Sequence, residues 1–130
     1  MPAPLGNSPT KRMPNIQVFG MEDNQATRAA LRFFRERRIV VHFVDLRKKP
    51  IAVGELRRFT ERLGAAACID TDAKPYKEQG LGYLSMDDAG ITSRLLSDVR
   101  LLRLPLVRYG DHVSAGKDEA AWKAWLAGPK

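Results

Sequence analysis

The spacing of apolar positions along the chain changes from two to about 3.6 and back, which predicts alternating strands and helices. "NIQVFG", residues 15 to 20, is a short strand with a glycine exit. Residues 24 to 37 have helical spacing: Ala26, Ala30, Phe33, Phe34 and Arg37 share one face, and Arg28, Arg32 and Arg35 share the other. Asp23 or Asn24 is placed to cap that helix. "IVVHFVDL", 39 to 46, is a β-branched run of strand length. A strand, a helix and a strand in so short a stretch make a βαβ unit, with parallel strands and a right-handed crossover. "VGELRRFTERL", 53 to 63, is a second amphipathic helix, with Leu56, Phe59 and Leu63 inward and Gly64 as its stop.

Residues 65 to 90 are less regular and hold short helices around "KPY" and "GLGYL". "ITSRLLSDVRLL", 91 to 102, is a third long helix. "LPLVRYG" and "HVSAG" are two strands of a tight hairpin about Gly110 and Asp111. "DEAAWKAWL", 118 to 126, closes the chain as a helix with Trp122, Trp125 and Leu126 on one side. The order βαβ, helical segment, ββα predicts an α/β, thioredoxin-like fold. Its four-stranded sheet is mixed, parallel in the first half and antiparallel in the second, with helices on both faces. One domain spans 14 to 127, between an N-terminal tail, 1 to 13, rich in Pro, Ser, Gly and Asn, and a short tail, 128 to 130. Met13 is an alternative start. Pro105 opens the third strand; a proline there is expected to be cis and to lie against the turn before the first helix.

Composition narrows the function. A net charge of +7 and a pI near 9.9 suit an acidic protein partner or an anionic ligand. The basic residues are spread along the chain apart from "RERR", 35 to 38, and "RKK", 47 to 49, so nucleic-acid binding is not expected. No apolar run is long enough to cross a bilayer and no secretory h-region is visible, so a cytoplasmic monomer is expected. The single cysteine, Cys68, excludes an internal disulfide and a multi-cysteine metal site; between "GAAA" and Ile69 it reads as a small, unreactive core residue. His42 and His112 form no metal signature, and no metal or cofactor is expected.

Four features in their order resemble the arsenate reductase (ArsC) and Spx-like branch of thioredoxin-fold proteins. They are the first strand and turn leading to Arg28 and Ala29-Ala30, the stretch "FVDLRKKPIAVGELRRF", the stretch "KPYKEQGL" at 74 to 81, and Pro105 in a short strand followed by a glycine turn. The resemblance covers Ile16 to Leu126. It implies a nucleophilic cysteine four residues before Arg28, where this chain has Asn24, and a second redox cysteine where it has Thr27. Neither side chain can form the attacking thiolate. It also implies oxyanion-binding arginines at Asp70, beside Pro105 at Leu104, and after the hairpin glycine at His112. Arg103, one place before Leu104, should point elsewhere because strand side chains alternate.

The degenerate anion site is therefore Asn24, Arg28, Asp70, Leu104, Pro105 and His112, with no catalytic residue left. The expected function is a binding or regulatory module of the ArsC/Spx type that has lost its redox centre. The RNA polymerase α subunit is the partner implied by analogy with Spx. The alternative is a glutathione- and glutaredoxin-linked arsenate reductase-like oxidoreductase. A further reading keeps anion binding by backbone N–H groups at the first-helix N-terminus, which Glu22 and Asp23 oppose.

Overall fold

The computed structural model describes residues 16 to 127. Both expected tails lie outside the described residues, as does Met13. Strand β1 (Ile16–Gly20) leads through a turn into α1 (Gln25–Glu36) and back to β2 (Val41–Asp45). Helix α2 (Val53–Leu63) follows, then short helices α3 (Ala65–Cys68) and α4 (Lys74–Glu78), and α5 (Asp88–Ser97). The hairpin β3 (Leu106–Tyr109) and β4 (His112–Ala115) and the final helix α6 (Glu119–Leu126) complete the chain.

The sheet order is β2-β1-β3-β4. β1 pairs with β2 in parallel, Val18 opposite Phe43, and with β3 antiparallel, Val18 opposite Val107. Period-two alternation sends successive residues of these strands to opposite faces. Ile16, Val18, Val107 and Tyr109 meet Phe33, Phe34 and Trp122 on one face, and Phe19 and Leu106 meet Leu56, Phe59, Leu95 and Leu101 on the other. Two apolar clusters on opposite sides of one sheet make the three layers expected from the element order. Trp122 is fully buried, and its indole N–H donates to Ser114 Oγ at 2.9 Å, which fastens α6 to β4.

The predicted third long helix is corrected. α5 begins at Asp88, capped by the Asp87 carboxylate on Gly90 N at 2.8 Å, and ends at Ser97. Asp98 leaves the helix and its own carboxylate accepts from Arg100 N, opening a separate 3₁₀ turn, Val99–Leu101. An apolar pattern does not reveal this break, because Leu95 and Leu101 are both buried on either side of it. The local competitor that wins is an Asx-type bond. Elsewhere the changes are at element ends. The predicted second strand loses Ile39 and Val40 because α1 unwinds through Arg37 and Arg38, with Ile39 N donating to Phe34 O.

Candidate functional site

Gly20 closes β1, and the turn that follows delivers the start of α1. Asn24 rather than Asp23 caps the helix, with extended backbone and its Oδ1 accepting from Thr27 N at 2.7 Å. The same oxygen accepts from Thr27 Oγ1 at 2.9 Å. Thr27 is fully buried and packs over Gly20: a Cβ on that glycine would stand 2.4 Å from Thr27 Oγ1. The two positions where the resemblance implies cysteines are thus bonded to one another, and the Asn24 carbonyl oxygen is committed to the helix. Asp23 pairs with Arg47, and the Arg28 guanidinium donates to Glu22 O at 3.1 Å. A carboxylate and a carbonyl oxygen therefore occupy the cations beside the turn.

Leu104-Pro105 is a cis peptide bond, as expected. The β1–β3 register sets Phe19 opposite Leu106, so Pro105 continues alongside Gly20 at the mouth of the turn. Leu104 is buried with Phe19 and Leu106 in the core below α2. Asp70 is held by its backbone, N–H to Leu101 O at 2.8 Å, and its carboxylate accepts from Asp72 N at 3.0 Å. Arg103 precedes β3 rather than lying in it, and its guanidinium is spent on Ala67 O and Ile69 O, to which it donates at 3.2 Å each. Cys68 is fully buried beside it. Burial pushes the thiol up to about 11, against a smaller opposing pull from the Arg103 charge. It is not a thiolate at neutral pH.

His112 is not brought to the turn. It pairs with Tyr109, which pairs with Ile16, so it sits at the opposite end of β1 from Gly20. There its ring stacks on Tyr109 and Trp125, with centroids 6.4 and 5.7 Å away. The cation that β4 carries to the Pro105 end is Lys117. Gly116, in a left-handed conformation, donates its N–H to Pro105 O at 2.9 Å, and Lys117 follows. Sequence reasoning missed this residue, although the hairpin centre at Gly110 and Asp111 contained it: counting outward from there puts Gly116, not His112, opposite Pro105. Lys117 lies 3.8 Å from Glu119.

A cavity of about 540 Å³ opens next to the turn, between β2 and the start of α2, lined by Glu22, His42, Asp45, Lys48, Lys49 and Glu55 among others. Its charges are mixed. Among the described residues, no three His, Cys, Asp or Glu side chains converge as metal ligands, and no helix is long and apolar enough to cross a membrane.

Comparison with known proteins agrees with this geometry. The chain superimposes on an arsenate reductase from Vibrio cholerae at 18% identity, TM-score 0.73, covering 85% of this chain and 96% of that one. An ArsC family related protein from Bacteroides fragilis matches with TM-score 0.77, 18% identity and the same coverages. An arsenate reductase (ArsC) related protein from Brucella melitensis matches with TM-score 0.65, 14% identity, 86% of this chain and 94% of that one. At such identities these likenesses establish the thioredoxin-like fold. No curated protein sequence matches. The ArsC family model matches residues 19–125, from the end of β1 to the last helix, and the chain belongs to the ArsC family.

Proposed function

We propose that this ArsC-family chain is a non-catalytic binding or regulatory module, Spx-like in using the fold as a docking surface. The observation that carries it is the state of the first-helix turn: Asn24 stands where a nucleophile is expected and spends its side-chain oxygen on capping α1 through Thr27. The only thiol in the chain, Cys68, is buried and protonated at neutral pH. Arsenate reduction needs a thiolate to attack arsenic and a cationic cradle to hold the dianion beside it. Two like unit charges ~4 Å apart repel by roughly 4 kcal/mol at an effective dielectric constant of 20. Leu104 packs in the core, Asp70 is an anion and His112 lies at the far end of the sheet, so these positions do not offset that repulsion. Lys117 offers a point charge without the forked geometry of arginine.

The partner this reading favours is an acidic protein, on the +7 charge and the exposed Arg28, Arg32 and Arg35 face of α1. The RNA polymerase α subunit is the partner suggested by analogy with Spx. A coupled assay with arsenate, glutathione and glutaredoxin tests the non-catalytic part. No turnover is expected from the wild type or from Asn24→Cys, since a helix N-terminus stabilises a thiolate by only ~0.3–1 kcal/mol at an exposed site. Turnover by the wild type overturns the reading. Turnover by the single variant means that the cradle is built from other residues.

A further inference from the structure

Among the described residues, no strand pairs with the outer edge of β2. β2 is the terminal strand of the sheet. Leu46 N donates to Gly20 O, so the even-numbered residues of β2 direct their backbone groups to β1. The N–H and C=O groups of Val41 and Phe43 consequently point outward along the free edge. A row of unpaired backbone groups is a template for a further strand, and proteins usually blunt it with proline, a bulge or covering chain. Neither a proline nor a bulge interrupts Val41–Asp45.

Beside this edge runs a groove of about 500 Å³ between β2 and the last turns of α1. Leu31, Val40, Val41 and Phe43 make its apolar floor, and Arg35 and Arg38 are the charged residues that line it. Val40 is 78% exposed, a large apolar side chain left in water at the start of the strand. Arg38 has φ +59 at the C-terminal end of α1, a left-handed conformation in which glycine would be cheaper. A long cation is thus kept where the backbone favours no side chain, and local strain of this kind is a pointer to function.

We propose that the β2 edge and its groove bind an extended acidic segment of a partner protein by strand addition. Main-chain bonds to Val41 and Phe43 supply register, one apolar side chain of the segment fills the groove, and carboxylates two residues to either side of it, on the same face, meet Arg35 and Arg38. This deepens the non-catalytic reading and rests on it. The groove's lining holds two arginines and no acidic residue, which selects an acidic segment over a basic one.

The probe is a fluorescein-labelled peptide Thr-Glu-Thr-Val-Thr-Glu-Thr, whose Val and both Glu share one face, with a control that carries Lys in place of each Glu. Anisotropy gives affinity, and amide hydrogen exchange read by NMR gives location. Binding of the Glu peptide alone is expected, with new protection at Val41 and Phe43. Affinity should fall roughly tenfold in Arg35→Glu combined with Arg38→Glu, the sum expected of two exposed ion pairs turned repulsive. Arg38→Gly, which suits the left-handed backbone, should fold at least as well and still bind more weakly. Equal binding of the Lys peptide, protection elsewhere, unchanged affinity in the variants, or no saturable binding overturns the proposal. So does an oligonucleotide that displaces the peptide with higher affinity. Arsenate turnover by the wild type would remove the parent reading while leaving the peptide measurement to stand or fall on its own.

Discussion

Asn24, Thr27 and Gly20 form one local unit, and each can be perturbed separately. Asn24→Ala removes both bonds that its oxygen accepts, and a loss of about 1 kcal/mol is expected in denaturant melts, the usual cost of an N-cap. Gly20→Ala is expected to cost more, about 1–3 kcal/mol, because its Cβ would press into the buried Thr27 side chain at 2.4 and 2.7 Å. Thr27→Ala relieves that clash, so in the double variant the two losses should fall short of their sum by over ~0.5 kcal/mol. Simple additivity would show that the contact is not what limits Gly20. Cys68 gives a pH prediction. The folded thiol holds its proton to higher pH than the unfolded one, so the stability from keeping it neutral is complete below about pH 9. It is lost as pH rises toward about 11. Cys68→Ala should flatten that part of the stability–pH profile, and thiol labelling of the native protein should be far slower than in denaturant.

At the scale of elements, a few polar bonds decide how helices seat on the sheet. The Trp122 indole reaches Ser114 across the interface of α6 and β4, both buried. Ser114→Ala leaves the indole N–H without that acceptor, and a loss of about 1–3 kcal/mol is expected, against a few tenths for Ser114→Thr if the hydroxyl keeps its place. Unchanged stability in Ser114→Ala would mean that another acceptor takes over. Element identity was largely legible in the chain, since α2 runs from Val53 to Leu63 and stops at Gly64, as its periodicity and glycine imply. The extent of α5 was not legible. Its helical pattern runs on past Ser97, while the break is made by the Asp98 carboxylate bonding to Arg100. That bond also holds the Asp98 carboxyl below the usual aspartate range.

For the whole molecule, the +7 charge is the property most exposed to test. An acidic partner bound through Arg28, Arg32 and Arg35 should bind more weakly as salt rises, because exposed charges are screened beyond ~8–10 Å near physiological ionic strength. Arg32→Glu with Arg35→Glu should reduce both the affinity and its salt dependence. A salt-independent affinity would locate the interface elsewhere.

The sequence by itself determined the element order, the two apolar faces of the sheet and the absence of a thiol in the first-helix turn. These follow from period, turn residues and composition, which are local. Only the tertiary structure decided which distant residues share an end of the sheet. Pro105 comes beside Gly20, and Gly116 with Lys117 beside Pro105, because β3 runs antiparallel to both β1 and β4. His112 falls at the other end for the same reason, where it stacks with Tyr109 and Trp125. Family spacing suggested one neighbour and strand register imposed another, since four paired residues carry a side chain the length of the strand. The edge position of β2 was likewise decided in three dimensions: a β-branched run announces a strand, but only the sheet order shows that, among the described residues, no strand pairs with its outer side.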